Sequence, residues 1–436
     1  MRAVAARGGR SAIEARHRYV CGALGPDEEG AVVDYTVAGV EGGVCAPRGF
    51  RAAGINAGLD PGPGPDLALL SSQQAATAAG RFTSHRFPSA PVCWTRARIA
   101  ASGQARAVLA HSGSANAATG RQGDADAATL ARLCGEAIGC SPEEILLLGT
   151  GRIGTRLPLD HAAEGAEKVT TALGRRGSND LARALAGSGG VAREHAVAVA
   201  WAEGEVRIGG VAKASAPFAP SFATTLVLLT TDATVEPSLL DTLLGRAIGR
   251  SFERVLVDQG PGMGDAAVLL ANATAAAPAL VAGSDGAAAF EAALAYLCES
   301  LAEQLATRVP GARKLVVVTV HGAVSHADAL AAARAVAGSM ALRVALAAGE
   351  PAWSAVLDGL DGAAVSFDPT RVGVRFGPVT VVSGGQAAPH DEGAAAAVAG
   401  KGQVDLAVDL GAGGAAATVT TTDLPTEALA RLRSER

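Results

Sequence analysis

The stretch VAKASAPFAPSFATTLVLLTTDA, Val211 to Ala233, decides how this chain is read. Pro217 and Pro220 break the approach, Thr224 and Thr225 offer two hydroxyls, and the apolar run Leu226 to Leu229 follows. That order of residues predicts a loop feeding a buried strand. On spacing alone the threonine pair reads as β-branched strand filling. A chemical reading stands beside it. A threonine at such an entrance, with Ala223 before it, suits a chain that cuts its own backbone. The hydroxyl attacks the preceding carbonyl, the amide shifts to an ester, and water releases Thr224 with a free α-amine. The ordinary pKa of such an amine, about 7.7 to 8.0, lets it act at neutral pH as base for its own hydroxyl.

The flanks give this stretch its frame. Upstream, Val197, Val199 and Trp201 alternate, Glu203-Gly204 turns the chain, and Val206 and Ile208 resume the alternation, which predicts a hairpin leading into the Thr224 loop. Further back, Ala105 to Leu109 reads as a short strand entering the small-residue loop HSGSANAATG, His111 to Gly120. From Asp124 the apolar positions Leu130, Leu133, Cys134 and Ile138 fall on one helical face. Ser141-Pro142-Glu143-Glu144 carries a capping-box pattern for a single turn before the apolar strand Ile145 to Leu148.

That strand ends in GTGRIG, Gly149 to Gly154, which satisfies G-x-G-x-x-G. A dinucleotide site also needs a helix opening here and an acidic residue about 20 positions on. Pro158 follows too soon, and Val169 to Gly174 holds no acid, so the pattern argues against a nucleotide. Downstream, Pro237 opens a helix with Leu240, Leu243, Leu244, Ala247 and Ile248 inward. Val255 to Val257 is a short strand, and the loop Gly260 to Gly264 lacks the lysine of a phosphate cradle. Phe290, Leu294, Leu297, Leu301 and Leu305 mark a long helix, and Lys314 to Val320 with Val372 to Val382 read as sheet. Strands and helices interleave, so the expected class is α/β, with sheets sandwiched between helices.

Composition narrows the functions further. The 436 residues are long enough for a large core, and a chain 49% hydrophobic but only 3% aromatic must pack small aliphatic side chains. A formal charge of −5 without a basic cluster argues against nucleic acid. No run of 18 apolar residues occurs, so no membrane span is expected. Cys21, Cys45, Cys93, Cys134, Cys140 and Cys298 are scattered and read as reduced core residues, and the eight histidines show no metal-ligand spacing. His321 and His326 read as a strand end and a helix start. Residues 1–30 carry several arginines but no apolar signal region, and read as a disordered leader of a cytoplasmic protein.

The segment KASAPFAPSFATTLVLLTTDA resembles the cleavage segment of the ornithine acetyltransferases, also called glutamate N-acetyltransferases. Lys213, Ala219-Pro220, Ala223-Thr224 and Thr230-Thr231-Asp232-Ala233 carry the match. Gly43 to Phe50, Ala52 to Gly54, Pro65 to Leu69, Phe82-Thr83 and Ala90-Pro91-Val92 continue it, and His111 to Gly120 resembles the family's small-residue loop, with His111 and Ser114 where asparagines are usual. Thr150, Gly151, Ile153 and Gly154 match a strand end whose threonine hydroxyl and glycine amide form the oxyanion hole. The resemblance runs from about Ala31 to Leu424 and thins after Phe252.

It implies two fragments of one fold, residues 31–223 and 224–436, cut between Ala223 and Thr224 and associated as a heterotetramer. The activity implied is a ping-pong acyl transfer without cofactor or metal. Thr224 takes an acetyl group from an N-acetylated amino acid, N-acetylornithine in the family, Thr150 and Gly151 hold the oxyanion, and an acceptor such as glutamate receives the group. Lys213 would carry charge beside the site, favouring the neutral α-amine or pairing with a substrate carboxylate, and Ser188 is the hydroxyl left where the family has Thr-Thr-Asp-Thr.

Several family features are missing. The Gly-Asp-Thr-Ser-Thr-Asn loop is replaced by Gln259 to Gly264. The glutamate of Gly-Glu-Gly-Ala-Thr-Lys, which helps bind the basic substrate, falls on Pro310. Glu350-Pro351-Ala352-Trp353 is a remnant of Asp-Pro-Asn-Trp-Gly-Arg, and Leu429 to Arg436 has no Ile-Asn-x-x-Tyr-Thr. A buried ammonium without a carboxylate costs several kcal/mol, so the expectation is a transferase with altered specificity. A hydrolase with the same threonine, of amidase or aminopeptidase type, and a silent member of the family are the alternatives.

Overall fold

In a computed structural model, residues 33–215, 224–256, 262–307 and 311–424 are described. The strands, in chain order, are β1 (Tyr35–Gly39), β2 (Phe50–Ile55), β3 (Leu67–Phe82), β4 (Gln104–His111), β5 (Ile145–Gly149), β6 (Gly190–Trp201), β7 (Gly204–Ser215), β8 (Leu226–Thr231), β9 (Val255–Leu256), β10 (Ala266–Ala271), β11 (Leu315–Ala323), β12 (Gly373–Phe376), β13 (Val379–Ser383), β14 (Gln386–Ala387), β15 (Gln403–Asp409) and β16 (Ala415–Thr422). Seven of the helices frame these strands: α1 (Ala90–Ser102), α2 (Gly120–Ile138), α3 (Leu159–Thr171), α4 (Ser178–Ala186), α5 (Pro237–Arg250), α6 (Asp285–Ala306) and α7 (His326–Ala337).

Nine strands form one sheet in the order β1-β6-β7-β8-β10-β3-β4-β5, with β2 also on β3. The 16-residue β3 serves two partners end to end, β2 along Leu67 to Ser72 and β10 along Thr77 to Phe82. Its pairing with β4 slips between Ser71 and Ala76. A bulge of this kind bends a strand.

Alternation along the buried strands records the layers. Val227 and Leu229 point to one core with Leu240, Leu244, Phe290 and Leu294 of α5 and α6. Leu226 and Leu228 point the other way, into a core shared with Leu146 and Leu148 of β5. Ile145 and Leu147 in turn face Leu130, Cys134 and Val169 of α2 and α3. The order is therefore helix, sheet, sheet, helix, as the sandwich expectation requires. With both faces covered, β5, β8 and β10 are buried along their whole length, which is why they read as unbroken apolar runs.

The second sheet, β14-β13-β12-β15-β11-β16-β9, has its own core, packed by α7 and the helices Met340–Ala348, Trp353–Asp361 and Glu392–Ala399. The predicted hairpin is β6–β7, the α5 stripe is buried as expected, and the Ser141 capping box closes one 3-10 turn. The cysteine reading needs one correction. Cys134 and Cys298 are buried, Cys45 and Cys140 are partly buried, and Cys93 lies exposed on α1. That helix turns only Ala90, Pro91, Val92 and Thr95 fully inward, so position 93 falls on its outer side. Among the described residues no single helix is long and apolar enough to cross a membrane. His321 does lie in β11 and His326 does open α7. Residues 1–32, Ala223, Pro310 and Leu429 to Arg436 fall outside the described residues.

Candidate active site

Three strand ends meet beside Thr224. In the register, Leu226 of β8 pairs with Lys213 of β7 on one side and with Ala266 of β10 on the other. Because β8 and β10 run parallel, Thr224-Thr225 and Gly264-Asp265 enter the sheet side by side. The Ala266 amide donates to the Thr225 carbonyl at 3.1 Å. The fold-over at β3 brings the third end, the GTGRIG turn after β5, against them.

A buried amine joins these pieces. Lys213 is 2% exposed, and its Nζ donates to Thr150 Oγ1 at 2.6 Å and to the Thr224 carbonyl at 3.1 Å. Burial pushes its pKa down to about 7, with the Asp265 carboxylate pulling the other way. A lysine in such a place is a near-neutral switch, not a solvated surface charge. Its described partners are protein oxygens, so a substrate carboxylate would have to join or displace one of them. Gly190 makes the room, since a Cβ there would lie 2.9 Å from Lys213 Cε and 2.3 Å from the Ala186 carbonyl.

The corner around Thr150 and Gly151 is built by two loops zipped together. Thr150 N donates to the His111 carbonyl, Arg152 N to Gly113 O and Gly154 N to Ala117 O, at 2.8 to 3.0 Å. Gly151 has φ +125°, and a Cβ on it would come within 2.3 to 2.6 Å of the Gly113–Ser114 backbone, so only glycine fits. No helix opens at this turn; α3 begins only at Leu159. Thr150 is 2% and Thr224 5% exposed. Gly264 lies over Thr224, and a Cβ there would sit 3.2 Å from Thr224 Oγ1 and 2.9 Å from the Gly149 carbonyl.

Ser188 lies two residues before Gly190. It lies exposed in the turn Gly187–Gly189, its amide donating to Asp60 Oδ2 at 3.0 Å. Asp265, by contrast, carries no signal in the sequence. It sits at the end of the loop that departs from the family pattern, and only the parallel register places it against Thr225. Beside Thr224 opens a cavity of about 540 Å³. Phe82, Ile248, Phe252 and Leu256 give it apolar walls, with Asp265 and Arg334 among its polar lining. Among the described residues no cluster of histidine, cysteine or carboxylate has a metal-holding arrangement.

The sequence profile of the ArgJ family matches residues 51–429. The chain belongs to the ArgJ family. The "Arginine biosynthesis bifunctional protein ArgJ" of Symbiobacterium thermophilum is 39% identical over 385 residues, 88% of this chain and 96% of that protein. The protein of the same name from Thermosynechococcus vestitus is 35% identical over 82% of this chain and 85% of its own length. The ornithine acetyltransferase of Mycobacterium tuberculosis, solved in complex with ornithine, is 34% identical, with a TM-score of 0.35, over 37% of this chain and 88% of that one. Membership in the ArgJ family bears out the resemblance carried by Lys213, Thr150-Gly151 and Ala223-Thr224.

Proposed function

We propose that this ArgJ-family chain is an N-acyltransferase of the ornithine acetyltransferase type, working through a threonyl ester on Thr224. The observation that carries the reading is the 2.6 Å bond from Lys213 Nζ to Thr150 Oγ1, with the same amine 3.1 Å from the Thr224 carbonyl. It draws the oxyanion motif and the nucleophile to one buried point. A hydroxyl accepting from an ammonium is a better donor through its own hydrogen, so Thr150 is suited to receive developing negative charge.

The chain first cuts itself: Thr224 Oγ attacks the Ala223 carbonyl carbon, the C–N bond breaks as the acyl group moves to oxygen, and water hydrolyses the ester. Ala223 gains a carboxylate and Thr224 a free amine. In turnover that amine takes the Oγ proton as the oxygen attacks the acyl carbon of an N-acetyl amino acid. The proton passes to the departing nitrogen when its C–N bond breaks. The acceptor amine, with glutamate as the family acceptor, then attacks the ester and the proton returns to Oγ. No cofactor enters these steps. Residues 31–223 and 224–436 form the two fragments, paired as a heterotetramer in the cytoplasm, and Ser188 is assigned to the substrate side.

Specificity is altered from ornithine, because Pro310 stands where the family carries the glutamate for the basic substrate and the C-terminal closing motif is absent. Denaturing mass spectrometry tests the reading. Wild type should give two fragments divided before Thr224, the second heavier by one acetyl group after incubation with donor, and Thr224→Ala a single unmodified chain. Active protein with an unbroken junction, or an adduct elsewhere, would refute it. Acceptor-dependent turnover separates transferase from hydrolase, and a donor panel in which N-acetylornithine ranks first removes the claim of altered specificity.

A further inference from the structure

We infer that Asp265 is a positioning residue of this site: its carboxylate holds the backbone beside the nucleophile and is the counter-charge of Lys213. The inference rests on the reading of Thr224 as nucleophile. Asp265 Oδ1 accepts from the Thr225 amide and Oδ2 from the Gly262 amide, both at 2.6 Å. The residue after the nucleophile and the residue that opens the described part of the facing loop are thus fastened to one side chain. Amide bonds to a carboxylate are about twice as strong as neutral ones, and the parallel register of β8 and β10 fixes where this carboxylate sits. A displacement of Thr225 would carry Thr224 Oγ1 away from Gly264 and from the Thr150 corner.

The second part of the role is electrostatic. Opposite Lys213 on β6 stands Ala192; its neighbours Val191 and Arg193 point to the other face of the strand, and Glu194, on the Ala192 face, is held by Ser178, whose hydroxyl donates to Oε2 at 2.7 Å. On β8 the partner is Leu226, and from the β5 turn comes the neutral Thr150 hydroxyl. Asp265, fastened to the Thr225 amide next to Leu226, the β8 partner of Lys213, is the carboxylate that offsets the desolvation of the ammonium. Without it, the amine that polarises Thr150 would lose its proton at lower pH.

Asp265→Asn tests both parts on the full-length, processed enzyme. Wild type should show a limb in its kcat profile that flattens in the residual activity of Lys213→Met. In Asp265→Asn the midpoint of that limb should fall by at least about half a unit, and formation of the acyl-enzyme should slow about tenfold. Asp265→Glu keeps the charge on a longer arm, so its limb should stay at the wild-type midpoint while adduct formation slows. This second variant decides the matter if the asparagine protein does not fold. A limb unmoved in Asp265→Asn with a lowered Tm alone, or a shifted limb in Asp265→Glu, overturns the inference and leaves a structural tie. Wild type that forms no adduct on Thr224 refutes the nucleophile itself, an outcome read separately from the variants.

Discussion

Each of the two sheets buries a cation, and they use it differently. Lys213 in the nine-stranded sheet reaches a hydroxyl and a carbonyl at the proposed reacting centre. Arg343 beside the seven-stranded sheet is 0% exposed, and its Nε donates to the Thr422 carbonyl at 2.7 Å and its Nη2 to Thr422 Oγ1 at 3.2 Å. Its own carbonyl accepts from Leu424 N. One cation is turned toward the place where the proposed reaction develops charge, and the other ties down the last described strand. Burial alone therefore does not mark chemistry; the partners do.

The largest effect that could undo this contrast is on activity. Lys213→Met keeps the length of the side chain and removes the charge. Turnover should fall at least about a hundredfold, the scale of a lost oxyanion donor, while Tm holds or rises, because an apolar replacement removes a desolvation penalty. Arg343→Met should do the reverse. It leaves the Thr422 carbonyl and hydroxyl without their guanidinium donors, at a cost of about 3 kcal/mol, whereas the folded fraction retains the wild-type kcat. Urea unfolding and turnover measured on both proteins decide it. Equal loss of stability in the two would erase the distinction.

A smaller effect refines the account of the site. Gly264→Ala puts a methyl group 3.2 Å from Thr224 Oγ1 and 2.9 Å from the Gly149 carbonyl, closer than ordinary contact. Since the neighbour on one side is backbone, the threonine must give way, and kcat should drop about tenfold, as small misplacements of reacting groups do. A variant with unchanged kcat would mean that the hydroxyl reacts from another rotamer. Gly262 and Asp265 should keep their bond in this protein, so the Lys213 limb of the pH profile should not move.

Much of this arrangement is legible in the sequence, and the remainder has physical reasons for being hidden. The apolar runs Leu226 to Leu229 and Ile145 to Leu148 announce strands covered on both faces, and the GTGRIG turn with Pro158 after it announces a strand end that does not open a helix. Lys213, Thr150 and Thr224 can be picked by likeness to the family. Asp265 cannot, because its inferred role comes from a parallel pairing between β8 and β10 that lie 40 positions apart at their entry points. The depth of Lys213 is also invisible there. It depends on Gly190 in the facing strand, and a sequence shows neither the register nor the missing Cβ. The thinning of the resemblance after Phe252 follows the loss of recognition motifs, while the family profile itself continues to residue 429.

The smallest effect concerns how protons couple to folding at the two ends of the proposed oxyanion corner. His111 is buried, and desolvation pushes its pKa down to about 4, from an ordinary value of about 6.5. Its ring lies against Gly149, where a Cβ would come within 2.7 Å of Cε1. Between those two pH values the unfolded chain binds a proton that the folded chain refuses, so stability is present above about pH 6.5 and is lost as pH falls toward about 4. Lys213 works in another window. With a folded pKa of about 7 against an ordinary value of about 10.4, it makes stability rise from about pH 7 to about pH 10. Urea unfolding across pH should therefore show two separate slopes. His111→Asn should flatten the acid one and leave the alkaline one, and Lys213→Met should do the opposite. If one substitution moved both slopes, the two groups would share a proton, and the ammonium bonded to Thr150 could no longer be treated as a charge set by Asp265 and burial alone.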